Sequence, residues 1–347
     1  MSDDKTIKEE KSDVRAIKVT TLGKMMNSFG IYAIAVFFLV LGIVLQSLGI
    51  INNFLTTTNM MNILDAVTLL GIVAVGMAFV TYSGHYADMS VPTTMAFTGI
   101  ICVQMLQFGF IPALIITFLF GLLIGLINAV AIGKFKANPI IWTLALVFVT
   151  KGIIRIVWDN KQIYPDFIAN SERTSDLFDN IFRYRFFGKI SLPLVMLIIL
   201  IIALDFVMKK TKYGAQLKMT GAAQKAASFS GINTEFVIGM AFVICALTAT
   251  LGGLTVTSLS RVGYINNGVG YDFKAVTAIV IGGMTLAGGR GSIMGVVGGV
   301  LVMGLIDNIL TLLGVGTFSQ DMIRGTIFII VVGLNAKSLR SLGRDDA

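Results

Sequence analysis

The chain has 347 residues, of which 55% are hydrophobic and 13% charged, with a formal net charge of +8. A soluble domain carries roughly 25% charged residues, and Met25–Leu64 and Met89–Gly133 contain no Lys, Arg or Glu and no Asp. A membrane-spanning helix needs about 20 apolar residues, so the composition excludes a soluble chain and points to an all-α polytopic membrane protein. The lone histidine, His85, excludes a His-cluster metal site, and Cys102 and Cys245 lie inside apolar runs, which argues against a disulfide framework. No metal site is expected.

Residues 1–24 read as a retained, mixed-charge cytoplasmic tail rather than a cleaved signal, because a full-length span follows them. The transmembrane domain, 25–337, contains about ten transmembrane or re-entrant helical segments. They are predicted near 31–51, 66–83, 91–108, 113–133, 140–158, 191–208, 236–258, 275–288, 292–314 and 320–336. Residues 338–347 form a short tail. Ten crossings put both termini on one side. The positive-inside rule places that side in the cytoplasm, where it gathers Lys134, Lys136, Lys209, Lys210, Lys212, Lys218 and Lys225. The whole net charge is then topological and gives no support for nucleic acid. Residues 159–190 form an extracytoplasmic segment with balanced charge. Its aromatic side chains (Tyr164, Phe167, Phe178, Phe182, Tyr184, Phe186 and Phe187) are offered as partner contacts, or the segment rests on the membrane as an amphipathic helix.

Two segments are irregular. Asp88 and Pro92 interrupt the apolar run at 83–92, and Gly282, Gly283, Gly288 and Gly289 crowd the end of the short segment 275–288. Non-helical backbone at membrane depth is tolerated only inside protein or beside a water-filled cavity, and paired breaks point to a transport pathway. Residues 76–90 can be laid over 283–292 with a gap. The overlay fits an internal repeat, and equally the abundance of Gly and Ser in packed membrane helices.

The glycine-rich stretch 282–291 lacks the Lys-Ser/Thr of a phosphate loop. Gly291, Gly295 and Gly299, like Gly121 and Gly125, recur every four residues and are read as helix-packing faces. Candidate pathway residues are Asp88, Ser90, Thr93, Thr94, Asn128 and Asn308, although hydrogen bonding between helices would use the same residue types. Lys151, Arg155, Asp205 and Asp307 lie inside apolar segments, where ionisable groups pair or line a pathway. Asp307 is the acid that an ion-coupled carrier would use.

Between the sixth and seventh segments, 209–235 is polar and small-residue-rich, with a short helix expected at 222–230 and Gly231 at its C-terminal end. Ala222, Ala226 and Phe229 would share one face, suited to docking in a partner's groove or to lying on headgroups.

Thr211-Lys212-Tyr213-Gly214, Ala226-Ala227 and Ser230-Gly231-Ile232-Asn233 resemble the coupling loop of sugar-type ABC importer permeases, the ribose, galactose, xylose and autoinducer-2 group. Asp88-Met89-Ser90-Val91, Asn138-Pro139 with Thr143-Leu144, and Gly282-Gly283 through Gly289, Gly291, Ser292 and Gly295 match further elements of that family in order. Pro92, Gly221-Ala222-Ala223 and the stretch Gly84–Asp88 depart from its pattern.

The resemblance implies a non-catalytic subunit of an ATP-driven importer in the bacterial plasma (inner) membrane, with a second permease copy, identical or related. A cytoplasmic ATPase would meet Gly214, Ala222, Ala226, Ala227, Phe229, Ser230 and Gly231, and a solute-binding protein would dock outside. The chain itself would hold no cofactor, ATP and Mg belonging to the ATPase. A sugar or sugar-like solute is expected. Nucleosides or branched-chain amino acids on the same fold are the alternative, and an ion-coupled secondary transporter is the competing class.

Overall fold

The computed structural model describes residues 31–342 apart from 187 and 189, with side chains through 333. The N-terminal tail, Phe187 and the last five residues lie outside the described residues.

All ten predicted segments coincide with helices. These are α1 (Ile31–Ser47), α2 (Thr57–Tyr82), α3 (Val91–Met105), α4 (Phe110–Asn128) and α5 (Pro139–Trp158), followed by α8 (Leu192–Lys210), α11 (Thr234–Ser260), α12 (Tyr271–Ile281), α13 (Ile293–Leu312) and α14 (Thr317–Leu342). Seven of these are long and apolar enough to cross a membrane; among the described residues α1, α12 and α14 do not meet that standard. α12 has 11 residues, about 16 Å at 1.5 Å per residue, or half a hydrocarbon core. It begins four residues before the predicted segment and ends before the glycines, because Gly282 closes it and Gly283 turns the chain with φ 76°.

The membrane-embedded core is organised on α2 and α11, which lie against each other. α3 and α4 cover α11 on one side, α12 and α13 cover α2 on the other, and α8 packs behind α2. Without a hydrophobic drive between helices in lipid, close approach depends on small residues, and the α11 interface is built from them. A Cβ on Gly253 would strike the Met95 carbonyl of α3, one on Gly121 would strike the Thr250 hydroxyl, and one on Gly125 would lie 2.9 Å from Val243 Cα. α5 is the exception among the spans: its contacts fall mainly on α3 and on the irregular turn after α4, and most of its surface is open.

At one end of the helices, Ile163 and Gly263 exchange backbone hydrogen bonds of 3.0 and 2.8 Å. They join the segment after α5 to the one after α11. Here lie α6 (Pro165–Ile168), α7 (Glu172–Ile181) and a two-residue hairpin, β1 (Arg185–Phe186) with β2 (Ile190–Ser191), in which Arg185 faces Ser191 and Phe186 faces Ile190. α7 is amphipathic because Phe178 and Ile181 recur at helical spacing among polar residues. Phe178 and Phe182 are buried, 0% and 4% exposed, and pack with Ile100, Val103 and Leu254. They anchor the segment and are not available as partner contacts, whereas Phe167 is 84% exposed.

At the opposite end lie α9 (Lys212–Ala222) and α10 (Gln224–Phe229). The helix expected at 222–230 is shorter. Ala223 is extended (φ −158°, ψ 90°), so Ala222 closes α9 instead of opening α10. Alanine favours helix intrinsically, but the packing of Gly221 overrides that preference at this point.

Gly253→Ala should destabilise the chain by about 1–3 kcal/mol, because a backbone carbonyl cannot move out of the way of the new methyl. Thermal unfolding in mild detergent reads this as a lowered midpoint. Gly325→Ala, where no atom lies within 4 Å of the added carbon, should leave the midpoint in place.

Candidate functional site

The first helix break buries a carboxylate. Asp88 is 1% exposed, and its cost is offset by three donors. Oδ1 accepts from the Ser90 backbone N–H at 2.8 Å and from the Ser90 hydroxyl at 2.5 Å. Oδ2 accepts from Asn128 Nδ2 at 3.2 Å. Asp followed two residues later by a donating N–H is the turn geometry that this side chain favours.

Asn128, at the last turn of α4, also donates to Ser90 Oγ at 3.2 Å, and its Oδ1 accepts from Trp142 Nε1 at 3.1 Å. Thr143 Oγ1 accepts from the Met89 backbone N–H at 3.2 Å. The break, the end of α4 and the first turn of α5 are thereby tied together. α4 continues past Asn128 as a wider turn, Ala129–Lys134, and Asn138 caps α5 through the N–H groups of Ile140 and Ile141. Thr93 and Thr94 both donate to the Ser90 carbonyl, at 2.9 and 3.0 Å. Five of the six predicted pathway residues are therefore brought together, all buried.

Asn308 stands apart. It exchanges two hydrogen bonds with Asn59, at 2.7 and 3.0 Å, across α13 and the first turn of α2. Asp307 accepts from Arg324 Nε at 2.7 Å, and Arg324 also pairs with Asp321. Asp205 pairs with Lys209 at 2.8 Å. Among the described residues no ion pair reaches Lys151 or Arg155 on α5.

The second break, 282–292, meets the first through backbone. The Tyr82 carbonyl that ends α2 accepts from the Gly289 N–H at 2.9 Å. A Cβ on Gly288 would lie 2.6 Å from Gly84 N and Cα, and one on Gly289 would lie 2.7 Å from Ala222 N. Gly288 and Gly289 have φ 89° and 70°, a conformation that glycine adopts without strain. Gly221, near the end of α9, fits against both: its Cβ would enter the Tyr82 carbonyl and lie 2.7 Å from Gly289 N. Of the predicted packing residues, Gly295 lies against Gly282 and Gly299 against the Ala278 carbonyl, whereas Gly291 precedes α13 at φ 132° and lies against Met284 within the break rather than on a helix face.

α9 is held down at its start. Thr211 Oγ1 accepts from the Gly214 N–H at 3.2 Å, Gly214 lies on the carbonyls of Val207 and Met208, and Tyr213 stacks on Phe79 at 6.4 Å. α10 is held only lightly. Ala227 is buried, Ala222, Ala226, Ser230 and Gly231 are exposed, and Phe229 is 91% exposed. Beside it opens a polar cleft of about 310 Å³ lined by His85, Lys136, Asn138 and Gln224 among others. Sequence reasoning did not single out Trp142, Asn59 or Gly221 as site residues. For Trp142 a signal existed, since an indole N–H inside an apolar helix needs an acceptor.

The family described as branched-chain amino acid transport system / permease component matches residues 59–332. The ribose import permease protein RbsC of Bacillus subtilis (strain 168) is 33% identical over 303 residues, covering 86% of this chain and 92% of that protein. The L-arabinose ABC transporter permease protein AraH of Azospirillum brasilense is 32% identical over 282 residues, covering 81% and 80%. RbsC of Haemophilus influenzae is 30% identical over 298 residues, covering 85% and 90%. No solved structure matches. The resemblance to sugar-type ABC importer permeases is borne out, as is the multi-pass membrane reading.

Asn128→Leu would strand Asp88 Oδ2 and the Trp142 N–H at once, at about 1–3 kcal/mol for each buried group left unpaired. Its unfolding midpoint in detergent should fall well below that of Thr93→Val, which removes a single donor from a carbonyl that keeps Thr94.

Proposed function

The chain belongs to this permease family, and we propose that it is the membrane subunit of an ATP-driven importer for a sugar delivered by an extracytoplasmic binding protein. The curated relatives named above for ribose and L-arabinose support the substrate class. In this reading both termini and the 209–235 loop are cytoplasmic, and all ten segments belong to the membrane domain. Hydrolysis, with its ATP and Mg, occurs on a partner ATPase.

The observation that carries the reading is the seat of Gly221. A coupling element must pass movement to the pathway, and movement passes best where no flexible side chain intervenes. α9 ends in backbone contact with both helix breaks at once. α10, the next element, presents Phe229 to solvent. A protruding aromatic flanked by small residues suits a groove in the ATPase. ATPase closure would then push α10, and α9 would deliver the displacement to the junction of the two breaks.

A second copy, identical or related, completes the proposal. α5 is scarcely covered by its own chain, yet carries Lys151 and Arg155 within an apolar span. Cations at that depth need a partner, headgroups or water, and a pathway between two copies supplies water. The ion-coupled carrier has less support, because the acid it would use, Asp307, is already paired with Arg324.

Affinity purification in mild detergent should recover an ABC ATPase with this chain. A chain that isolates without one, under conditions preserving other importers, would remove the proposal. Phe229→Glu should weaken that association by at least roughly thirtyfold, the weight of a central aromatic anchor at about 2 kcal/mol. Gly221→Val should retain the ATPase and lose uptake, measured as radiolabelled ribose or arabinose entering proteoliposomes.

A further inference from the structure

The polar cleft beside α10 encloses about 310 Å³ between three elements: the first break through His85, the connection from α4 to α5 through Lys136 and Asn138, and the start of α10 through Gln224. We propose that it binds a phosphate monoester from the cytoplasmic side, and that the bound ligand restrains α10. The side and the restraint rest on the importer reading; the choice of a phosphate monoester rests on the lining alone.

The volume equals that of about ten liquid waters at roughly 30 Å³ each, the lower end of the range for small-molecule pockets. It admits a phosphate together with the sugar or glycerol unit attached to it.

The charge of the lining selects an anion. None of the described residues around the cleft is acidic, and no ion pair among the described residues uses Lys136. Its backbone is held at φ 55°, a region that a lysine seldom adopts. The wide turn after α4 imposes this, through the Phe135 N–H on the Val130 carbonyl and the Ala137 N–H on the Ala131 carbonyl. Backbone held in such regions clusters at ligand clamps. The attraction is the lysine's and not that of a bare helix end, because Asn138 Oδ1 already takes the Ile140 and Ile141 N–H groups. The side-chain amides of Asn138 and Gln224 supply further donors.

His85 adds a demand for a proton. The Ser83 hydroxyl donates to the Val80 carbonyl at 2.7 Å. Toward His85 Nδ1, 2.9 Å away, it can therefore only accept, as can the Ser83 carbonyl at 3.1 Å. Nδ1 then carries the proton of the neutral ring and Nε2 is an acceptor. A carboxylate or a phosphodiester offers Nε2 only lone pairs. A phosphate monoester, whose last proton ionises near about pH 6, presents an O–H to Nε2 and an anionic oxygen to Lys136 in one group.

The ligand would join α10 to the first break. Gln224 and Phe229 are five positions apart, about 140° around a helix of 3.6 residues per turn, so the side of α10 that closes the cleft is not the side presenting Phe229. A ligand held at once by His85, Lys136 and Gln224 opposes the displacement that ATPase closure would give α10.

Binding is read on the purified permease in detergent, without any ATPase, by phosphorus-NMR line broadening of D-ribose 5-phosphate. Lys136→Asn, with Lys136→Gly as a second variant, removes the charge with residues that accept left-handed backbone. Each should weaken binding at least about tenfold, the weight of a hydrogen bond to a charged group. Lys134→Gln, outside the lining, should leave binding in place. Lipid competitors in nanodiscs identify the source: displacement by phosphatidic acid supports a headgroup monoester, and displacement by no lipid supports a free one. Absence of binding, binding that survives both Lys136 variants, or equal displacement by D-ribose or phosphatidylglycerol overturns the proposal. In the assembled transporter D-ribose 5-phosphate should slow ATP hydrolysis, and Lys136→Asn should escape that effect; hydrolysis unchanged with the cleft filled overturns the restraint. Failure of the importer reading shows separately, as an empty purification.

Discussion

The structure depends on one constraint: a backbone that stops being helical at membrane depth must satisfy its polar groups within the protein. The chain meets it twice. At the first break Asp88 turns the backbone and takes the Ser90 N–H, while Ser90 passes its carbonyl to Thr93 and Thr94. At the second break no side-chain carboxylate is used. Glycines at positive φ fold the backbone onto itself and onto the end of α2, where Gly289 meets the Tyr82 carbonyl. Each break therefore depends on the other, and neither can be displaced alone without exposing a carbonyl or an N–H.

That dependence gives the molecule its mechanical layout. α9 rests on the junction through Gly221, and Tyr213 fixes its other end to α2 by stacking on Phe79 and by donating to the Val237 carbonyl of α11 at 3.2 Å. α2 and α11 are the two most buried spans, so a push on α9 is taken up by the centre of the fold. α5 sits at the opposite extreme. It is held at both ends: at its first turn by the polar node through Trp142 and Thr143, and at its last by Trp158, whose Nε1 donates to Gln104 Oε1 of α3 at 3.1 Å, next to the buried Ile154. Between those ends most of its surface is left uncovered by its own chain.

What the sequence disclosed and what it hid divide along physical lines. Asp88, Ser90 and Asn128 stood out because polar groups in apolar runs must find partners, and they found each other. Thr211 and Asn233 are also cap residues by type, a signal left unused, and both act as caps. The ten helices were readable from hydropathy for the same reason. Gly221, Gly288 and Gly289 were not readable as a unit, because a glycine's use is set by what approaches it, and these partners are some 65 residues apart in the chain. The same blindness placed the start of α10 too early: alanines extend a helix equally well on paper, and only the tight seat of Gly221 forces Ala223 out of line.

The charged residues complete the division of labour. Asp307, Asp65 and Asp205 all lie in or beside spans, and each is already matched to a base. Carboxylates committed to arginine or lysine cannot bind and release a coupling cation without first losing that partner, which in low dielectric is strongly unfavourable. Asp88, which has no basic partner, is saturated by neutral donors and sealed from solvent. Acids committed in these ways offer the energy of an ion gradient no ready place to enter. On the importer reading proposed above, the drive enters instead at the surface carrying Phe229, a single helix away from the junction where both breaks meet.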